Sequence, residues 1–452
     1  RYEAYGWHVS TVADGNDLEA IENAIAEAKK VTDKPSIIAV KTIIGFGLPK
    51  QGTSKAHSDA PGVEAVKEMK RNLGWDETAE FYVPDEVYAK YREAISNGEK
   101  LENEWNQLFA SYTEKFGDEF SNVINKNFPA NWEQSLPIFD GVEAKATRAY
   151  SGDVINAIAD TIPNLIGGSA DLTPSNNTTI KNSIDFQPAT FAGRNMHYGI
   201  REHAMGGIMN GIALYGGLIP FGGTFMTFSD YCRPAIRLAA LSNAQTIFVF
   251  THDSIGLGED GPTHQSVEHI AALRAIPNLN VIRPCDAHEV AEAWAIAINE
   301  KHKPTVLALS RQKVALIDRT KFASAKGTKQ GGYILAEASN NEPQVILIST
   351  GSEIGLAMQA REILEAEGIA TRVVSMPCTD IFDAQSAKYQ ESVLPNKVKA
   401  LAIEAGVSFG WHKYADDVLG VDKFGASAPA EIVFKEYGFT LENVVEKVKG
   451  LI

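Results

Sequence analysis

Short apolar runs alternate with segments of helical period along most of this chain. Leu18, Ile21, Ile25 and Ala28 recur at helical spacing, and Pro35 then precedes Ile37-Ile38-Ala39-Val40, the pattern of a buried strand. A glycine-rich loop follows at Gly45-Phe46-Gly47, and beyond Gly62 the chain turns polar and helical through Trp75, Tyr88 and Trp105. Residues 126–144 contain Pro129, Pro137 and Gly141 without a sustained period and read as a connector. From 145 to 318, strands are expected at Leu165–Gly168, Ile247–Phe250, Asn280–Ile282 and Val306–Leu309, with a helix around Val290, Ala293, Trp294 and Ala297. The stretch 325–452 repeats the style. Val345–Ile348 leads into a helix through Leu356, Ala360, Ile363 and Leu364, Gly368 stops it, and Arg372–Val374 resumes a strand. Buried strands alternating with helices predict parallel sheets covered on both faces. No strict internal repeat accompanies the pattern, which argues against a solenoid.

A length of 452 residues exceeds one ordinary core and predicts two or three domains. Apolar residues at 44% and charged residues at 22% describe an ordinary globular composition, and no apolar run is long enough to cross a bilayer. The first residues, Arg1 to Trp7, lack both Met and the pattern of a signal peptide, so a mature, processed or truncated start is expected. A net charge of −15 argues against nucleic acid as the main partner. It leaves room for small phosphorylated ligands held by a few local cations. Cys232, Cys285 and Cys378 are too far apart for a metal pattern and read as small core residues in a reducing, cytoplasmic setting.

In open parallel sheets ligands bind beyond the carboxyl ends of strands, so the residues just after each apolar run are the ones to inspect. After Ile247–Phe250 comes Thr251-His252-Asp253-Ser254-Ile255-Gly256-Leu257-Gly258-Glu259-Asp260-Gly261-Pro262-Thr263-His264-Gln265. Its two histidines suit proton relay or hydroxyl binding near neutral pH. Thr263 or Asp260 is placed to cap a helix carrying Val267, Ile270 and Ala271. In Tyr198-Gly199-Ile200-Arg201-Glu202-His203-Ala204-Met205-Gly206, Glu202 stands between two cationic neighbours. Taken alone it reads as an ion-pairing residue at a helix start. Phe225, Phe228 and Tyr231 recur every three residues, a spacing that lines one side of a helical turn. They either pack in a core or wall a flat ring. Gly167-Gly168-Ser169-Ala170-Asp171-Leu172-Thr173-Pro174-Ser175-Asn176 puts small residues at a strand end, either a plain turn or a close approach to ligand. Arg148 and Arg311 suit phosphate only if they converge.

Together these phrases, with Leu309-Ser310-Arg311-Gln312 and Phe424-Gly425-Ala426-Ser427-Ala428-Pro429, resemble the transketolase family over the whole chain and in the family's order. The resemblance implies three doubly wound α/β domains. They are a partial diphosphate-binding domain at 1–125, a linker at 126–144, a pyrimidine-binding domain at 145–318 and a C-terminal domain at 325–452. It implies a homodimer with thiamine diphosphate across the subunit interface. It also implies transfer of a two-carbon ketol unit from a ketose phosphate to an aldose phosphate, through a dihydroxyethyl intermediate, in the pentose phosphate pathway. Glu202 matches the glutamate that holds the cofactor's aminopyrimidine in its reactive tautomer, with Phe225, Phe228 and Tyr231 around that ring and Asp171 nearby. His264 matches a histidine beside the reacting carbonyl, and His252 and Asp260 match residues that read hydroxyl groups. Arg148, Ser175 and Arg311, with His252, match the phosphate end of the substrate channel. His57 matches a substrate-side histidine, although His-Ser-Asp-Ala-Pro-Gly here replaces the family's His-Gly-Ala-Pro-Leu-Gly.

The family's Gly-Asp-Gly segment and following Asn, which bind Mg2+ or Ca2+ with the cofactor diphosphate, have no counterpart in these residues. No metal ligand is therefore assigned, and the expectation is a chain lacking the front of its first domain and inactive alone. 1-Deoxyxylulose-5-phosphate synthase shares the fold and cofactor and is the neighbouring reading. A non-catalytic remnant is the rival from another class.

Overall fold

The computed structural model describes residues 1–129 and 131–452; residue 130, inside the expected linker, lies outside them. The chain divides into two compact units, Arg1–Ala110 and Ser111–Ile452. In the first, β1 (His8–Val12) pairs in parallel with β2 (Ser36–Val40), and the helix Leu18–Lys30 connects them. Asp17 caps that helix by accepting the Ala20 N–H, so the expected helix and strand both form. A helix at Val63–Asn72 follows, and a long one, Asp85–Asn125, runs on into the second unit; Trp75 sits in the turn region between them.

In the second unit, β3 (Leu165–Ser169), β4 (Asn195–His197), β5 (Ile219–Phe225), β6 (Ile247–Thr251), β7 (Asn280–Ile282) and β8 (Thr305–Leu309) make one all-parallel sheet in the order β4-β3-β5-β6-β8-β7. Period-two alternation assigns its faces. Phe221, Ile247, Val249, Leu307 and Leu309 pack with Tyr150, Val154 and Trp294 of the helices Thr147–Ile158 and Ala287–Asn299. Phe248, Phe250, Val306 and Ala308 pack with Met205, Met209 and Ile236 of the helices Glu202–Tyr215 and Ser229–Leu241. Those two helices cross closely because Gly206 has no side chain: a Cβ there would lie 2.7 Å from that of Ala235 and 3.0 Å from Cys232 Sγ.

A second sheet follows from β9 (Tyr333–Ala336), β10 (Val345–Ser349), β11 (Thr371–Ser375), β12 (Lys399–Ile403) and β13 (Asp417–Leu419). Its order is β13-β12-β10-β11-β9, with only β9 antiparallel. Its two faces bury Val345, Leu347 and Val373 on one side and Ile346, Ile348 and Val374 on the other. The architecture is thus α/β with helices on both faces of parallel sheets. Among the described residues no helix is long and apolar enough to cross a membrane.

Two local expectations need correction. Phe225, Phe228 and Tyr231 do not share one helical turn. Phe225 ends β5, Phe228 ends a 3-10 turn, and Tyr231 lies in the first turn of Ser229–Leu241. The strand wins at Phe225 because its run from Ile219 is buried between β3 and β6. Neither Asp260 nor Thr263 caps a helix: the helix starts later, at His269, and the Thr263 hydroxyl turns to His264 Nδ1 at 2.9 Å instead. Side chains that bond locally in this way compete with capping geometry.

Candidate active site

Parallel register brings the chemistry together. β3, β5, β6 and β8 are consecutive in the sheet, with Ser169 opposite Gly223, Phe225 opposite Thr251, and Thr251 opposite Leu309. Asp171, His252 and Arg311 therefore leave neighbouring strand ends on one edge. At Asp171 and His252 the backbone takes the left-handed conformation, φ 62° and 61°, uncommon for residues other than glycine and concentrated at functional turns.

An aromatic wall stands here. The rings of Phe225 and Phe228 stack at 5.7 Å and 10°, and Tyr231, largely exposed, lies 6.1 Å from Phe228. His252 packs on Phe225 at 3.7 Å between ring centroids, and His264 meets Phe225 and Phe228 edge-on at 6.2 and 5.6 Å. Both histidines of the loop thus reach the same wall.

His252 is 4% exposed and fully bonded. The Thr251 hydroxyl donates to Asn176 Oδ1 at 2.7 Å, so its oxygen faces His252 Nδ1 at 2.8 Å as an acceptor. That places the imidazole proton on Nδ1 and leaves Nε2 to accept from the Arg148 guanidinium at 3.4 Å. Burial, reinforced by the charges of Arg148, Arg311 and His264, holds the imidazole neutral, its pKa lowered to about 3. Behind it the buried chain continues: Asn176 Nδ2 donates to Ser169 Oγ at 3.1 Å, which shares a 2.7 Å bond with Thr178.

Arg148 donates to the Ser175 carbonyl at 2.7 Å. It stands beside Arg311 because the start of its helix is tied to the end of β8: Thr147 N–H donates to Ser310 Oγ at 3.1 Å, and Ser310 N–H donates to Thr147 Oγ1 at 2.7 Å. Burial, then the Arg311 charge, lowers the Arg148 pKa. Arg guanidiniums suit anions, above all the oxygens of carboxylate or phosphate.

Glu202 opens the helix Glu202–Tyr215. It is 8% exposed, and its carboxylate has no hydrogen-bond partner among the described residues. It is therefore not the ion-pairing residue that its neighbours suggest. Its helix packs along Ser229–Leu241, and its charge, after burial, helps push the Cys232 thiol up to about 12, one residue from Tyr231. Asp260 and Asp171 are exposed, and His264 is half-buried. His57 lies in the first unit, exposed on the short helix Lys55–Ser58.

Thr147, Thr251, Ser310 and Asp253 join the site from the structure. Thr251, Asp253 and Ser310 end or follow an apolar run, a signal in the sequence that marks them, whereas Thr147 opens a helix after a mixed polar stretch and carries no such signal. Asp230, Glu268 and His269 bring ligand-type atoms within 4.8 Å of one another, and His269 Nε2 lies 3.2 Å from Asp230, tying the loop's helix to Ser229–Leu241.

Residues 1–129 match the family model described as transketolase, thiamine diphosphate binding domain; residues 143–315 match transketolase, pyrimidine binding domain; and residues 331–440 match the transketolase-like C-terminal domain. A transketolase of Geobacillus stearothermophilus is 48% identical over 461 aligned positions, covering 100% of this chain and 69% of that protein. One from Aquifex aeolicus is 49% identical, covering 99% of this chain and 65% of that protein. A solved transketolase of Pichia stipitis, in complex with sedoheptulose-7-phosphate, superposes with a TM-score of 0.94 at 43% identity, covering 100% of this chain and 68% of that one. With three domain models matched in order and relatives 48–49% identical along the chain, the chain belongs to the transketolase family.

Proposed function

We propose that this chain transfers a two-carbon ketol unit from a ketose phosphate to an aldose phosphate with thiamine diphosphate as cofactor. One observation carries the reading to the site: Glu202, 8% exposed, has no hydrogen-bond partner among the described residues and opens a helix packed against the one that begins at the Phe225–Phe228 wall. An aminopyrimidine ring fits such a place. Its flat face suits the stacked aromatics, and its ring nitrogen would supply the hydrogen bond that the Glu202 carboxylate lacks among the described residues.

When bound, thiamine diphosphate supplies the nucleophilic carbon that side chains lack. Glu202 would hold and return a proton at the ring nitrogen, and Phe225, Phe228 and Tyr231 would orient the ring, with Asp171 alongside. His264, its Nδ1 engaged by Thr263, presents Nε2 for proton transfer at the substrate oxygen. His252 and Asp260 would read hydroxyl groups, and neutral His252 would join Arg148, Ser175 and Arg311 around the phosphate. His57 is a further proposed substrate contact, on family likeness alone. Mg2+ or Ca2+ on the cofactor diphosphate, a homodimer with interfacial sites, and a cytoplasmic place in pentose phosphate metabolism complete the proposal.

The test uses the full-length protein with thiamine diphosphate and magnesium. Xylulose 5-phosphate and ribose 5-phosphate are expected to react, and pyruvate with glyceraldehyde 3-phosphate is not. Turnover of the second pair alone would favour the synthase reading, and no turnover with either overturns the proposal. Calorimetry with the cofactor separates an inactive binder from a chain that does not bind.

A further inference from the structure

The loop that begins at His252 and ends at His264 is fastened at both ends through one residue, Asp253. Its carbonyl accepts the Ser266 hydroxyl at 2.5 Å, and its buried carboxylate accepts Arg283 Nε at 2.8 Å. Arg283 is the residue directly after β7 and is wholly buried. Its remaining nitrogens turn toward the second sheet. Nη1 and Nη2 bond the Glu353 carboxylate, Nη1 also reaches the Thr350 carbonyl at 3.2 Å, and Glu404 Oε1 lies 3.7 Å away. The backbone joins in: Arg283 N–H donates to Pro377 O at 2.9 Å, and its carbonyl accepts from Gly351 N–H and the Thr350 hydroxyl at 3.1 and 2.9 Å. Glu353 in turn accepts the Ala405 N–H at 2.9 Å. Gly351, at φ 58°, makes the approach possible, since a Cβ there would stand 2.7 Å from the guanidinium carbon.

A buried ion cluster of this kind adds little net stability compared with apolar packing, but it fixes geometry strongly. Every bond Arg283 makes toward the active site falls on the residue next to His252. Resting on the functional reading above, we propose that Arg283 is a positioning residue through which Glu353, in the C-terminal domain, sets the stance of His252 at the aromatic wall. This gives that domain a part in catalysis without contact with substrate.

The test is a double-mutant cycle in the cofactor-loaded full-length protein. Glu353→Gln, which keeps the shape and removes the charge, is expected to lower kcat/KM for a ketose phosphate roughly 10-fold, because displacement of a site group by a fraction of an ångström is felt at that level. In a His252→Asn background the same substitution is expected to change it by less than about twofold, since linked residues are not additive. A purely structural role predicts equal factors in both backgrounds, and that result, or no effect of Glu353→Gln, overturns the proposal. A readout independent of turnover is the imidazole 15N signal of His252, assigned by its loss in His252→Asn. It is expected to move in Glu353→Gln, and an unmoved signal counts against the link even if the functional reading fails. Should Glu353→Gln not fold, Asp253→Asn takes its place with the same readouts. If neither folds, the cluster is structural and the proposal is overturned.

Discussion

Glu202 and His252 are two buried titratable groups handled in opposite ways. His252 has every polar atom engaged and is kept neutral, while Glu202, 8% exposed, has no hydrogen-bond partner among the described residues. Replacing Glu202 by Gln is expected to lower ketol transfer by about 10²-fold or more, the usual scale for a lost proton-transfer group. Circular dichroism should be unchanged, and activity near that of the parent would remove Glu202 from the mechanism. His252 makes a pH prediction. Its ordinary value of 6.5 falls to about 3 in the fold. Between those values the unfolded chain binds the extra proton and the folded chain does not, so stability falls as pH falls through that window. Denaturant melts at a series of pH values should show a shallower acid-side loss in His252→Asn. The two histidines and Glu202 are legible as residues from their motifs. The direction of the His252 proton is not, because Thr251 and Asn176, which set it, are 75 positions apart.

Strands place the chemistry, and their spacing leaves little slack. Gly168 in β3 faces the neighbouring β4, where an added Cβ would lie 1.8 Å from the Met196 carbonyl. Gly168→Ala is expected to destabilise by about 1–3 kcal/mol as β4 is pushed away, the range for overpacked sites. A thermal melt checks this, and an unchanged midpoint would mean that the sheet yields freely. The buried runs at 247–250, 306–309 and 345–348 are plain in the sequence because both faces of a parallel strand are covered. β4, β9 and β13 are not. They are three or four residues long and lie at sheet edges, where burial alternates weakly. Phe225 misleads for a related reason, since a spacing of three fits a helix until the preceding strand is seen to run into it.

Across the second unit, buried cations fasten one sheet's loops to the other's. Arg274 pairs with Glu404 through two bonds of 2.7 and 2.9 Å, and Glu404 also accepts the Trp411 indole N–H at 2.6 Å. Arg274→Met would leave the buried Glu404 carboxylate only the Trp411 N–H and the more distant Arg283, and is expected to cost about 3 kcal/mol, the low end for breaking one side of such a pair. Arg274→Met with Glu404→Gln should recover part of it. Equal unfolding midpoints for the single and double variants would deny the coupling. Nothing in the local pattern forecasts these ties: Arg274, Arg283 and Glu404 are ordinary charged residues until the fold removes water from them.

Periodicity and punctuation were enough to specify an α/β chain with site residues just after its strands, because each residue's burial is written in its neighbours within a few positions. The transketolase-like phrases add a cofactor and a reaction to that outline. Which strand ends lie side by side was a matter of strand order, and strand order depends on contacts between segments tens of residues apart. The proximity of Arg148 to Arg311, the neutral state of His252 and the reach of Glu353 to Asp253 all follow from that order. They are energies of burial and charge at short distance, and such energies exist only once the sheets have formed.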